Sequence, residues 1–183
     1  MPEYPVKRLS VTGRAARHQS GEHTITKRKS HDAVTVEIAA SPAQVYALVS
    51  DITRMGEWSP ECVQCTWTQG ATGPAVGARF KAKNKGGRGP AWGNTPTVTA
   101  ADPGHEFAFN RTGPGVGDYT WRYVMEPTTT GTRLTESFDA AKPLGPVMTW
   151  VTEKWTGSSD RDADLHRGMT TTLARIKAAA ERA

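Results

Sequence analysis

Residues 33–140 alternate apolar and polar side chains in one segment after another, and the chain then closes on a single long amphipathic helix. Alternation argues for strands and a 3.6-residue period for helices. Val34, Val36 and Ile38 face one way, Thr35 and Glu37 the other. Ser41-Pro42-Ala43-Gln44 then suits a helix start: Ser41 as N-cap, Pro42 at the first helical position, Gln44 completing a capping box. Val45, Leu48, Val49 and Ile52 follow at helical spacing, and Asp51 is placed to cap a second short helix that Gly56 ends. Six strands come next, marked by Val63/Cys65/Trp67, Ala78/Phe80/Ala82, residues 92–101, Phe107/Phe109, Tyr119/Trp121/Tyr123/Met125 and residues 133–140. Pro96 interrupts the third of them and predicts an edge or a bulge.

A short helix is expected around residues 147–155. The final helix has Ser159 as its expected cap, Asp160, Asp162 and Asp164 at its positive dipole end, and one stripe of Leu165, Met169, Thr172, Leu173, Ile176 and Ala180. At 1.5 Å per residue, about 22 residues reach roughly 33 Å, enough to cross a sheet. The expected architecture is α+β: a seven-stranded curved antiparallel sheet around a long C-terminal helix, with two short helices after strand one. Strands that bend away from a helix at their ends leave a cavity, which is the expected site.

Composition bounds the function classes. The chain has 183 residues and a net charge of +5, and residues 1–31 hold seven Lys/Arg against two acids. That segment therefore accounts for the whole excess. With few aliphatic residues it reads as a basic, flexible tail, leaving residues 32–183 as the domain. The high isoelectric point then says nothing about the domain itself; the tail reads first as a solvated extension, with contact to nucleic acid or an anionic membrane as its alternative. No apolar run approaches the roughly 20 residues of a membrane span. The expected location is cytoplasmic, since no signal-peptide pattern opens the chain and two cysteines make no disulfide framework.

Parity along each strand selects the side chains that face the cavity. These are Trp67 beside Cys65, Phe80, Trp92 and Asn94, Phe107 and Phe109 with Arg111 beyond them, and Tyr119, Trp121 and Tyr123. The helix adds Met169 and Leu173. Leu134 and Phe138 also face inward, which forces Glu136 between them into an apolar setting. A carboxylate there is costly unless it is paired or protonated. Three readings follow: proton transfer to a bound carbonyl compound, a pair with Arg111 two strands away, or a structural or solvent-reaching Glu. Inward aromatics with a few polar groups suit a flat or elongated apolar ligand. Trp150 and Trp155 are placed to form a lid.

Several motifs lead nowhere. A spacing of three residues in a strand sends Cys62 and Cys65 to opposite faces, and without a second pair no zinc site is expected. The five histidines have no metal-ligand spacing, so neither metal nor cofactor is expected. Gly86-Gly87-Arg88-Gly89 and the run from Gly113 to Gly117 read as hairpin loops rather than phosphate cradles. Lys81, Lys83 and Lys85, with Arg79 and Arg88, mark an outer, solvated face.

Residues 34–60, VTVEIAASPAQVYALVSDITRMGEWSP, resemble the polyketide cyclase/dehydrase-like branch of the START/SRPBCC (helix-grip) superfamily. Ser41-Pro42, Val45-Tyr46, Leu48-Val49, Asp51 and Trp58-Ser59-Pro60 carry the resemblance, which extends over about residues 33–182. It implies the helix-grip fold and places Trp58 at the cavity entrance. It also implies a central cavity for a small hydrophobic or aromatic molecule, lipid- or polyketide-like. The alternatives it leaves are a polyketide cyclase/dehydratase-type enzyme and an interaction module using the tail. In the enzyme reading Glu136 and Tyr119 or Tyr123 would transfer protons while Arg111 held an enolate.

Overall fold

The computed structural model describes residues 28–182 apart from 87–88, 114–116 and 159, with the side chains of Trp155 and Thr156 also left aside. Most of the basic tail, Ser159 and parts of both glycine-rich loops thus lie outside the described residues. The segment expected as tail has contacts where the description begins. Arg28 Nε meets Asp162 Oδ1 at 2.6 Å, the Lys29 backbone N–H donates to Asp162 Oδ2, and β1 (His31–Ile38) starts at His31.

The first helix follows its sequence signals. In α1 (Pro42–Ser50) the Ser41 hydroxyl accepts from the Gln44 N–H, the Gln44 side chain accepts from the Ser41 N–H, and Pro42 opens the first turn. Asp51 then caps a 3-10 turn over Ile52–Arg54, which runs on into α2 (Met55–Trp58). Gly56 lies inside α2 and does not end it. Its role is close approach: a Cβ there would sit 2.6 Å from the Val63 carbonyl oxygen. Gly56→Ala should therefore cost about 1–3 kcal/mol through overpacking, although alanine is the better helix former. An unchanged or raised urea midpoint would refute this.

Among the described residues eight strands form one antiparallel sheet. β2 (Cys62–Thr68), β3 (Arg79–Asn84), β4 (Trp92–Asn94), β5 (Thr97–Asp102), β6 (Glu106–Gly113), β7 (Gly117–Thr128) and β8 (Gly131–Lys142) follow β1. Their order is β1-β8-β7-β6-β5-β3-β2, with β4 also on β3. The single strand expected over residues 92–101 is split at Pro96, which lacks an N–H for the ladder. Its carbonyl still accepts from the Phe80 N–H, so both pieces flank β3.

After α3 (Pro146–Thr156), α4 (Arg161–Ala180) packs on the sheet and on α1 and α2. Asp160 caps α4 through the Ala163 N–H, the role expected of Ser159. Leu165, Met169, Thr172, Leu173, Ile176 and Ala180 are its buried stripe. One core cluster gathers α1, α2 and the lower part of α4 on the sheet; a smaller one joins Tyr119, Phe138, Ala140, Leu165 and Met169. No described helix is long and apolar enough to cross a membrane.

Candidate functional site

Members of both core clusters, together with α3 and the start of α4, enclose a cavity of about 330 Å³. Parity supplies much of its wall. Phe80 from β3, Trp92 and Asn94 from β4, Phe109 and Arg111 from β6, Tyr119, Trp121 and Tyr123 from β7, Glu136 from β8 and Met169 from α4 all line it. Phe109–Trp121 and Arg111–Tyr119 are directly opposed pairs on β6 and β7.

Trp58, Trp67, Phe107 and Leu173 share the inward side but do not line the cavity. Trp58 is buried against the core below α4, where its carbonyl accepts from Arg175 Nη1 and its ring lies under the Arg54 guanidinium. Trp67 packs edge-on against Phe80, its centroid 5.7 Å away, so Phe80 stands between it and the cavity. Phe107 lies where α1 packs over β6, and Leu173 lies a turn below Met169 in the larger core. Parity says which face a side chain takes; the helices above the sheet decide whether that place is core or wall.

Trp150 is 60 % exposed and makes no part of the lining. The α3 side of the cavity is built by Met148, Val151 and Thr152 instead. Trp155 lies outside the described side chains. Lys81, Lys83 and Lys85 are exposed, alternating with the buried Phe80 and Ala82.

Two polar regions interrupt the apolar wall. At one, the Arg111 guanidinium stacks over Tyr119 at 4.7 Å from the ring centroid. Among the described residues it has neither a hydrogen bond nor an ion pair, and burial draws its pKa down from the usual arginine value. Two other cavity arginines are paired with acids: Arg28 Nε with Asp162, its Nη1 being buried without a hydrogen-bond partner among the described residues, and Arg161 in a forked pair with Glu61, in which Nη2 meets Oε2 at 2.7 Å. Sequence reasoning missed Arg161 and Glu61, which lie 100 residues apart and share no spacing that would join them.

At the other region Glu136 faces Tyr123 across β7 and β8, and the Tyr123 hydroxyl donates to Glu136 Oε1 at 2.9 Å. This is the partner that sequence parity alone could not choose; no ion pair joins Glu136 to Arg111 among the described residues. Burial raises the Glu136 pKa from 4.5 to about 8, opposed by the Tyr123 hydrogen bond. The Tyr123 hydroxyl is pushed well above 10, chiefly by burial and then by the neighbouring Glu136. Near neutrality Glu136 is thus mostly a neutral acid. Its Oε2, like Oδ1 of Asn94, is buried without a hydrogen-bond partner among the described residues.

Cys62 and Cys65 both line this part of the cavity, with their Sγ atoms 3.2 Å apart. Opposite faces were expected. A bulge at Cys62–Gln64 adds a residue to β2 and turns Val63 outward, 53 % exposed, so that both thiols point inward. Among the described residues no group of three or more His, Cys, Asp or Glu is placed to hold a metal.

A family model for polyketide cyclase / dehydrase and lipid transport proteins matches residues 32–181. Among solved structures, a Polyketide_cyc-like protein of Corynebacterium glutamicum is 32% identical, with 84% of this chain and 93% of that one covered at a TM-score of 0.51. A protein of Chromobacterium violaceum, 15% identical, superposes with a TM-score of 0.62 over 84% of this chain and 99% of that one. One half of the di-domain ARO/CYC StfQ from the steffimycin biosynthetic pathway, 16% identical, superposes with a TM-score of 0.66 over 84% of this chain and 51% of that one. No curated protein matches the sequence.

Proposed function

The chain belongs to the polyketide cyclase / dehydrase and lipid transport family, and from that premise we propose that it binds a small, elongated hydrophobic molecule bearing an acidic group. The observation that carries this reading is Arg111, a half-buried guanidinium that lines the largely apolar cavity and makes no hydrogen bond or ion pair among the described residues. A cation that opens on a ligand-sized cavity without an ion-pair partner in the wall is placed to meet an anion on the ligand. Tyr119 and Tyr123 lie four residues apart on β7, which separates the two polar regions by about 13 Å at strand rise. A ligand with its acid at Arg111 and a carbonyl or hydroxyl at Glu136 and Asn94 would satisfy both. Phe80, Phe109 and Trp121 supply the apolar surface between them.

Native mass spectrometry of the freshly purified chain should show an adduct of a few hundred daltons that is released on denaturation. Titration calorimetry with dodecanoate and dodecanol should then separate the acid from the chain. Arg111→Met should weaken dodecanoate binding by roughly 10–100-fold, the worth of a charge-assisted hydrogen bond, and leave dodecanol binding nearly unchanged. Equal losses for both probes, or no loss for either, would overturn the role of Arg111.

A second reading, catalysis on a carbonyl compound, draws support from Glu136. A buried acid with a pKa near neutrality and a free oxygen is suited to proton transfer. Turnover separates the two readings, since a carrier returns its ligand with unchanged mass.

A further inference from the structure

The binding reading leaves one cluster in the wall without a task, the cysteine pair of β2. Cys62 and Cys65 are the only cysteines of the chain, and the β2 bulge brings their sulfurs to 3.2 Å with the S–H of one directed at the other. Both are buried from bulk solvent, yet both border the cavity. A small molecule that enters the cavity therefore meets them, whereas a bulky protein partner does not. Gly56 keeps α2 close against the Val63 carbonyl, which holds the bulge in place. The site is thus built by the fold and does not follow from the three-residue spacing alone.

We infer that Cys62 and Cys65 form a redox-active dithiol in the cavity wall, which small-molecule disulfides convert reversibly to an intrachain disulfide. The step balances without a further reagent. The Cys62 thiolate attacks one sulfur of a disulfide R–S–S–R, forming a mixed disulfide and expelling one thiolate R–S⁻. Cys65, giving up its proton to that thiolate, then attacks the Cys62 sulfur and expels the second R–S⁻, which takes up the proton released by Cys62. The protein loses two hydrogens and two electrons, and R–S–S–R becomes two R–SH.

The 3.2 Å contact between the sulfurs favours this order when Cys65 is the donor. The hydrogen bond from Cys65 holds the Cys62 pKa below its usual value, which favours Cys62 as the attacking thiolate. The same contact, then burial, pushes Cys65 far up and keeps it protonated until the mixed disulfide forms. Closing the bond draws the sulfurs to about 2.05 Å, beside the Tyr123 hydroxyl whose ionisation both cysteines already influence. The oxidation state is therefore written into the wall next to the Glu136–Tyr123 pair.

The test uses the full chain equilibrated with reduced and oxidised glutathione in graded ratios, quenched with N-ethylmaleimide and weighed intact. The fully reduced protein should take up two maleimides. As the ratio becomes oxidising it should pass directly to a species that takes up none and has lost two hydrogens, and dithiothreitol should restore the first. Cys65→Ser should stop at a glutathione adduct on Cys62, and Cys62→Ser should react at least about 10-fold more slowly. Retention of two titratable thiols in the wild-type chain, a stable glutathione adduct with one free thiol, or a disulfide-linked dimer would each overturn the proposal. The wild-type titration stands even if a variant fails to fold, and its readout is independent of whether dodecanoate binds.

Discussion

Replacing Glu136 by Gln should remove most of the pH dependence of stability between pH 5 and 8. In the unfolded chain this carboxyl ionises near 4.5, and in the fold only near 8. Between those values the native state holds a proton that the unfolded state has released. Stability therefore falls as pH rises through this window and levels off above it, the sign expected of an acid whose folded pKa is raised. The span corresponds to roughly 3–5 kcal/mol. Gln keeps the shape and a hydrogen bond to the Tyr123 hydroxyl but has no charge to desolvate. The variant should match the wild type near pH 4.5 and exceed it by that amount near pH 9. Urea midpoints collected across the range measure the difference directly. Parallel curves for the two proteins would show that Glu136 is ionised in the fold, and would remove the neutral acid on which the carbonyl reading depends.

Phe80→Ala should be the most damaging single truncation of the cavity wall, at about 3–5 kcal/mol. Phe80 is 1 % exposed and stands between Trp67 and Phe109, with ring centroids 5.7 and 5.3 Å away in edge-on geometry. Removing it leaves a void, exposes the buried side of Trp67 to the cavity and breaks both aromatic contacts. Total stabilities of domains run only to about 5–15 kcal/mol, so a large share of the protein's stability rests here. Trp67→Ala is the informative comparison. Trp67 is half-buried and lies behind Phe80, so its loss should cost less stability and leave dodecanoate binding almost unchanged. Urea denaturation and calorimetry on both variants separate the effects. A Phe80→Ala protein as stable as the wild type would show that the sheet closes over the gap. A Trp67→Ala protein with impaired binding would show that the wall extends further than Phe80.

The strands were legible because a pleated strand with one buried face leaves a period of two in the sequence, as in Phe80 and Ala82 against Lys81 and Lys83. The capped start of α1 and the stripe of α4 were legible for the same local reason. Even Glu136 could be placed inward, since Leu134 and Phe138 left its parity no choice. The site was legible only in outline. Parity could not separate Phe109 on the wall from Phe107 in the core, because that depends on where α1 lies above β6. Nor could it choose Tyr123 over Arg111 as the partner of Glu136, a matter of which neighbour reaches across the sheet at 2.9 Å. The cysteines show the limit most clearly. Their spacing predicts opposite faces in a regular strand, and a single extra residue in β2 reverses that. The chain's own periodicity thus determined the strands, the helices and the inward faces, because these depend on residues a few positions apart. Which inward groups line a cavity, pair or meet as thiols was decided by tertiary structure, because bulges, helix placement and contacts between distant strands leave no period in the sequence.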